Sequence, residues 1–168
     1  MSQLSLAFES SLLVRDGKGR YQMATAEQIL EAARQVIDHK VQREVAFTSP
    51  AVVKDYLRTK LAGYEHEVFA MLFLDNRHRL IAYAELFRGT IDGAAVYPRE
   101  VLKEALTRNA AAVIFSHNHP SGVPEPSAAD RALTSQLRDA LALVEVRVLD
   151  HIIVAGNDTV SFAERGLL

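Results

Sequence analysis

The chain has 168 residues, the size of one ordinary domain with at most a short extra element at one end, which excludes two full domains. Its 49% hydrophobic and 24% charged content is typical of globular proteins, and no apolar run reaches the roughly 18 residues of a membrane-spanning helix. The lack of cysteine excludes disulfides and thiolate-bound zinc, and the net charge of −2 gives no overall attraction to nucleic acid.

Residues 1–47 are predicted to form an extension made of a hairpin and a helix. An apolar run, a turn at residues 16–19 and a short return segment indicate a small peripheral hairpin. Thr25 and Gln28 have the spacing of a capping box, and apolar residues at helical spacing over residues 29–41 predict an amphipathic helix. Because the segment has no basic leader followed by an apolar core, we expect a cytoplasmic protein.

Residues 48–168 are predicted to form the main domain. Ser49 and Pro50 predict the N-cap and first residue of a helix that ends near Leu61. The apolar pattern then predicts strand, strand, helix, strand, helix and strand, at residues 68–75, 80–87, 98 to about 106, 111–116, 127–143 and 146–154. This order favours an α/β domain with a central sheet that has helices on its faces.

Two histidines follow the strand at 111–116, beside three prolines in a predicted surface loop. In extended backbone, side chains at i and i+2 project to the same side, so His117 and His119 can present ring nitrogens to one point. The prolines stiffen the loop and allow Asp130, in the next helix, to return to that point. Two imidazoles and one carboxylate leave a fourth tetrahedral position for water, which predicts a catalytic site with one Zn²⁺.

Such a site also needs a carboxylate that transfers protons without being a ligand, because bound zinc makes water acidic enough to supply hydroxide near neutral pH. Glu67 directly precedes a buried strand and is the candidate. Its spacing does not select it over Glu65 or Glu85, since either could also lie near the end of a strand.

The motif resembles the signature of the JAB/MPN (JAMM) metalloprotease superfamily, an upstream Glu, then His-x-His-Pro, then Ser-x-x-Asp. Here the signature reads Glu67, HNHP at 117–120 and SAAD at 127–130, with ten residues between the second histidine and the aspartate. The sequence resembles the RadC-type branch of this superfamily more closely still, over roughly residues 48–168. The motifs that carry this resemblance are PSG at 120–122, RGT at 88–90, YPRE at 97–100 and LDHIIVAG at 149–156.

The resemblance implies a cytidine-deaminase-like JAB/MPN sandwich, an α/β fold with a mixed central β-sheet flanked by helices. It implies that His117, His119 and Asp130 bind the zinc. Glu67 would be the general acid/base, and Ser127 would help to stabilise the oxyanion during hydrolysis of a peptide or isopeptide bond. A peptide or protein is therefore the expected substrate.

Two features depart from the family pattern. Asn118 stands between the histidines, where superfamily members usually carry Ser. Residues 1–47 contain no glycine-centred motif comparable to the helix-hairpin-helix module with which full-length RadC proteins begin, which indicates a short form. The association of the family with DNA repair therefore transfers only weakly.

Several of these residues also have simpler interpretations. Ser127 and Asp130 satisfy a helix capping box by themselves. His151, next to Asp150 in a predicted strand, could orient a metal ligand, although a buried, hydrogen-bonded histidine without a catalytic part is the commoner case.

Two other functions stay open at this point. Basic residues in the segment 43–60 could form a strip for a DNA-binding repair or recombination factor, although the interleaved acids favour an ordinary solvated helix face. The protein could also be a noncatalytic interaction module, and the intact ligand set speaks against this. The pattern does not indicate the substrate, the metal bound in the cell, the oligomeric state or the role of residues 1–47.

Overall fold

A computed structural model describes residues 12–44, 47, 49–90 and 94–168, with the side chains of residues 38–44 outside the description. This part of the chain forms β1 (Leu13–Arg15), β2 (Tyr21–Met23), α1 (Ala26–Glu44), α2 (Pro50–Leu61), β3 (Val68–Leu74), β4 (Leu80–Arg88), α3 (Pro98–Thr107), β5 (Ala112–Asn118), α4 (Ala128–Ala142), β6 (Arg147–Ala155) and β7 (Asp158–Ser161). Each predicted helix and strand is present. None of the helices in the described ranges is long and apolar enough to cross a membrane.

The main sheet has five strands in the order β4-β3-β5-β6-β7. Neighbouring strands are antiparallel except β5 and β6, which are parallel and are joined by the crossover helix α4. The sheet is therefore mixed, as predicted. Of the three inner strands, β3 and β5 are buried at every residue, which explains why both are continuous apolar runs in the sequence.

Helices cover both faces of this sheet. Alternate residues of β3 point to opposite faces, so Val68, Ala70 and Leu72 pack with α2, while Phe69 and Met71 pack with α3 and α4. The largest fully buried side chains lie in these two layers, except Phe162, which packs in a smaller cluster with Ile153 and Val160. The predicted α/β sandwich with a mixed sheet flanked by helices is confirmed.

Two details at the strand ends differ from the prediction. β7 was not predicted, because its four residues are too few to show periodicity. The signal available for it was the turn at Gly156-Asn157, where Gly156 has a φ of +59°. β5 runs two residues further than predicted, through Asn118, because its end pairs with β3 on one side and with β6 on the other.

The predicted N-terminal hairpin and capping box are both present. β1 and β2 pair antiparallel around the turn that begins at Asp16. The Thr25 N–H donates to Gln28 Oε1 at 2.9 Å, and the Gln28 N–H donates to Thr25 Oγ1 at 3.2 Å. These reciprocal bonds satisfy main-chain donors in the first turn of α1.

Helix α1 contacts the end of α2. The Arg34 guanidinium donates to the carbonyl oxygens of Lys60 at 3.1 Å and Ala62 at 2.6 Å, which lie at the C-terminal end of α2. Gly63 follows with a φ of +78°, and a Cβ added there would lie 2.9 Å from Leu30 Cδ1. The close approach of Leu30 to Gly63 therefore helps to position α1 against the end of α2. The boundary between the N-terminal extension (1–47) and the main domain (48–168) stays a prediction.

Candidate metal centre

His117, His119 and Asp130 meet where β5 ends and α4 begins. Each offers one ligand atom, and these atoms all lie within 4.8 Å of one another. The prediction that both histidines lie in a surface loop was wrong for His117, which is inside β5 and only 1% exposed. His119 follows the strand, and its N–H donates to the Val154 carbonyl at 2.8 Å.

The two Nε2 atoms of the histidines face each other and the carboxylate. His117 Nε2 lies 2.9 Å from His119 Nε2 and 3.4 Å from Asp130 Oδ1. His119 Nδ1 is 2.7 Å from the Val123 carbonyl oxygen. Because a carbonyl oxygen can only accept, Nδ1 carries the proton and neutral His119 has a lone pair on Nε2 that points into the site. This donor set fits a metal ion.

Asp130 is held by the N-terminus of its own helix. Its Oδ2 accepts the Ser127 N–H at 2.7 Å, and its own N–H donates to Ser127 Oγ at 3.0 Å. These two bonds form a helix capping box, which confirms the simpler interpretation that Ser127 and Asp130 cap α4. The same bonds leave Oδ1 directed at His117, so the cap also orients the carboxylate towards the histidines.

The charges of the three groups are set by their surroundings. Burial lowers the pKa of His117 to about 4, although Asp130 opposes the shift. The Asp130 carboxylate, 3.7 Å away, raises the pKa of His119, although partial burial opposes this. Burial raises the pKa of Asp130, but the nearby His119 and His117 and the hydrogen bonds of Ser127 outweigh it and hold the pKa well below the ordinary value. His117 and Asp130 are therefore in the ligand forms, neutral imidazole and carboxylate, near pH 7.

Glu67 lines the same cleft, just before β3. Burial is the main reason why the pKa of Glu67 is raised, and the negative charge of Asp130 raises it further. His119 and the Ala94 N–H lower it. A raised pKa shifts the proton exchange of this half-buried carboxyl towards neutral pH, the direction that suits a general acid/base. Of the other two candidates, Glu65 is exposed and Glu85 accepts from the Tyr64 hydroxyl at 2.7 Å.

The cleft in front of these groups has a volume of about 510 Å³. Its polar wall includes Glu67, His119, Ser127 and Asp130, and small or apolar side chains complete it, among them Ala94, Val96, Ala129 and Leu133. All five predicted site residues are thus near one another. Four of them line the cleft, and His117 lies behind it.

Sequence reasoning missed the part played by Asn118. Its Oδ1 accepts the Val68 N–H at 2.8 Å, and its Nδ2 donates to the His66 carbonyl at 2.9 Å. One amide thus holds the main chain on both sides of Glu67 and links Glu67 to the strand of the histidines. The position of Asn118 between the two histidines was the available signal.

Two buried side chains behind His117 also touch the site. His151 Nε2 is 2.8 Å from His117 Nδ1, and His151 Nδ1 is 2.6 Å from Thr134 Oγ1. His151 therefore contacts a candidate ligand directly, which the sequence had left open. Thr134 was not predicted, and its signal is the helical spacing of four residues from Asp130.

The basic residues of α2 are engaged with neighbours. Lys54 pairs with Glu164, Arg58 lies 2.9 Å from Asp55, and the Lys60 ammonium lies 4.6 Å from the centre of the Tyr83 ring. These contacts compensate the charge locally and speak against a basic strip on α2, although Lys60, at 8% exposed, is buried and does not lie on a solvated face.

The fold and the site define a class, α/β sandwich proteins with a His-His-Asp group and a nearby glutamate at one edge of a mixed sheet. The RadC-like JAB domain family matches residues 47–167. The chain therefore belongs to this family, which confirms the resemblance found in the sequence.

Similar curated proteins carry the name UPF0758 protein, which describes no reaction. One from Vibrio cholerae serotype O1 is 61% identical over 147 residues, which cover 88% of this chain and 92% of the relative. One from Marinobacter nauticus is 53% identical over 165 residues, 98% of this chain and 74% of the relative. One from Methylibium petroleiphilum is 59% identical over 152 residues, 90% of this chain and 68% of the relative.

Proposed function

We propose that this protein is a zinc-dependent hydrolase that cleaves a peptide or isopeptide bond. The observation that supports this best is the convergence of His117, His119 and Asp130 beside Glu67 in one cleft. A structural metal site would need only the ligands. The additional half-buried carboxyl with a raised pKa favours an open, catalytic site.

The ligand set supports zinc as the metal. Two imidazole nitrogens and one carboxylate oxygen are borderline and hard donors, and a chain without cysteine offers no thiolate. When bound, zinc would supply Lewis acidity, which polarises a substrate carbonyl and lowers the pKa of water. His117, His119 and Asp130 would hold it, one ion per chain.

Glu67 would move the proton. In its ionised form the carboxylate accepts a proton from the attacking water, and in its protonated form it donates to the leaving amine. A raised pKa brings the exchange between these two forms closer to neutral pH. The nearby Ala94 N–H favours the ionised form of this carboxylate.

Ser127 would assist at the carbonyl oxygen of the substrate. Its oxygen already accepts the Asp130 N–H, so its hydroxyl proton can be donated into the cleft. A donor at this position stabilises the negative charge that develops on the oxygen during attack.

The test is metal content by mass spectrometry of protein purified without chelators, for the wild type, Asp130→Ala and Glu67→Gln. We expect about one zinc per chain in the wild type and in Glu67→Gln, and loss in Asp130→Ala. A panel of quenched fluorogenic peptides and isopeptides then tests turnover, which should fall by about 10²–10⁴-fold in Glu67→Gln. Absence of bound metal from all three proteins, even after zinc is supplied, would refute the hydrolase and favour an interaction module.

A further inference from the structure

Three buried side chains behind the metal centre form one continuous chain of hydrogen bonds. His117 Nδ1 lies 2.8 Å from His151 Nε2, and His151 Nδ1 lies 2.6 Å from Thr134 Oγ1. Thr134 Oγ1 in turn lies 2.6 Å from the carbonyl oxygen of Asp130, one helical turn earlier. His117, Thr134 and His151 are at most 2% exposed, so their polar atoms must satisfy one another.

His151 is enclosed by aromatic rings. Its ring stacks on Phe162 with centroids 4.7 Å apart, and the rings of Phe69 and Phe115 are arranged edge-to-face with it, with centroids 5.8 Å away. A charged imidazolium is strongly disfavoured in such an apolar environment, so His151 is neutral and carries one N–H.

Counting protons along the chain assigns each donor. The Asp130 carbonyl can only accept, so the Thr134 hydroxyl gives it its one proton and must accept the Nδ1–H of His151. His151 Nε2 then has no proton and accepts the Nδ1–H of His117. The Nε2 of His117 is left with a lone pair that faces His119 and Asp130. In the metal-free protein the 2.9 Å contact between the two Nε2 atoms is then a hydrogen bond donated by the Nε2–H of protonated His119.

The reverse arrangement would block the site. If Thr134 donated to His151 Nδ1, His151 would donate to His117 Nδ1, and a proton on His117 Nε2 would point at the other ligands. The hydroxyl of Thr134 selects between the two patterns, because only one of them keeps its bond to the Asp130 carbonyl.

We propose that Thr134 and His151 are positioning residues that fix the tautomer of His117 with its Nε2 lone pair directed at the metal. This inference rests on the proposed metal site. We call the hydrogen-bonded chain from the Asp130 carbonyl through Thr134 and His151 to His117 the relay. His119 needs no such relay, because its Nδ1–H donates to the Val123 carbonyl. Asp130 would take part twice, through its carboxylate at the metal and through its main-chain carbonyl at the start of the relay.

The first test reads the tautomer in metal-free, ¹⁵N-labelled protein by long-range ¹H–¹⁵N correlation. We expect His117 protonated on Nδ1 and unprotonated on Nε2 in the wild type and in Thr134→Ser, which keeps the hydroxyl. Thr134→Val has nearly the same shape without the hydroxyl and should give a mixture of tautomers. An Nε2–H tautomer in the wild type, or an unchanged tautomer in Thr134→Val, overturns the proposal.

The second test is zinc affinity, measured by competition with a chromogenic chelator. Thr134→Val should bind zinc about 10- to 100-fold more weakly than the wild type, as for other partners of metal ligands, and Thr134→Ser within a few-fold. Leu141→Val, a buried change further along α4, is the control for a loss that only follows from reduced stability. Unchanged affinity in Thr134→Val, or an equal loss in Leu141→Val, overturns the proposal.

The two tests separate this inference from the proposed function. If the wild-type protein binds no zinc, the proposed hydrolase function is contradicted. The tautomer of His117 in the metal-free protein then still shows whether the relay is correct. A protein that binds zinc with the opposite tautomer contradicts the relay alone.

Discussion

Replacing Asn118 by Ala should destabilise the protein because the amide of Asn118 is the hydrogen-bond partner of two main-chain groups. Asn118 is 4% exposed and Val68, whose N–H it accepts, is fully buried. An unpaired buried N–H costs about 1–3 kcal/mol. The lost bond to the partly exposed carbonyl of His66 costs about 1 kcal/mol more, since water can replace the amide there. The free energy of unfolding should therefore fall by about 2–4 kcal/mol.

The assay is urea unfolding of the metal-free protein followed by circular dichroism. The m-value should stay unchanged, because the amount of surface exposed on unfolding is the same. Asn76→Ala is the control, since this asparagine is exposed and its replacement should change the free energy by less than about 0.5 kcal/mol. If Asn118→Ala is as stable as this control, the two hydrogen bonds do not hold β3 and the reasoning is refuted.

The same substitution should separate turnover from metal binding. The three ligand side chains are held by β5, the Val123 carbonyl and the cap of α4, so zinc affinity should stay near the wild-type value. Glu67 loses the support on both sides of its main chain, and a shift of about 1 Å can cost about 100-fold in rate. Full turnover in a folded Asn118→Ala protein would contradict this positioning of Glu67.

Three further predictions concern the rest of the chain. First, the metal-free protein should lose stability as the pH falls from about 6.5 to about 4, because the unfolded chain takes up a proton on His117 before the folded protein does. At about 1.4 kcal/mol per pKa unit the effect of His117 is about 3 kcal/mol, and the raised pKa of His119 opposes it. Urea midpoints against pH measure the slope, which should be smaller in His117→Asn; equal slopes would contradict the assignment. Second, Ser127→Ala should cost about 1 kcal/mol through loss of the cap of α4, whereas Ser127→Thr keeps it. Thermal unfolding compares the two, and equal melting temperatures would show that the cap contributes nothing. Third, Arg34→Ala removes two bonds to the end of α2 and should cost about 1–2 kcal/mol and increase proteolysis of α1. Arg20→Ala, in the exposed hairpin, is the control, and similar protease resistance in both variants would mean that Arg34 does not hold α1 in place.

The helices could be predicted because their start signals are local. Thr25 with Gln28, Ser49 with Pro50, and Ser127 each mark an N-terminus that the structure contains. The inner strands could be predicted because burial on both faces leaves a continuous apolar run. The end of β5 could not, because two neighbouring strands decide how far its pairing extends.

The candidate site was predictable only in part. The spacing of the histidines and of Asp130 reflects short-range geometry, one strand end and one helix start. The choice of Glu67 over Glu65 and Glu85 depends on which strand end lies beside β5, and neither spacing nor charge contains that information. The family motif, and not the residues alone, selected Glu67.

Two adjacent residues of β5 connect the proposed metal site with Glu67, the proposed general acid/base. Successive side chains in a strand point to opposite sides, so His117 reaches the metal centre and His151, while Asn118 reaches the main chain around Glu67. On its other edge, Glu67 is held by main-chain bonds to Thr90 and Gly89 beyond the end of β4. The separation between the candidate ligands and Glu67 is therefore set by the register of β3 against β5, in which Phe69 lies opposite His117. Because a shift of one residue would reverse the facing of every side chain, the buried faces that fix this register also fix the geometry of the site.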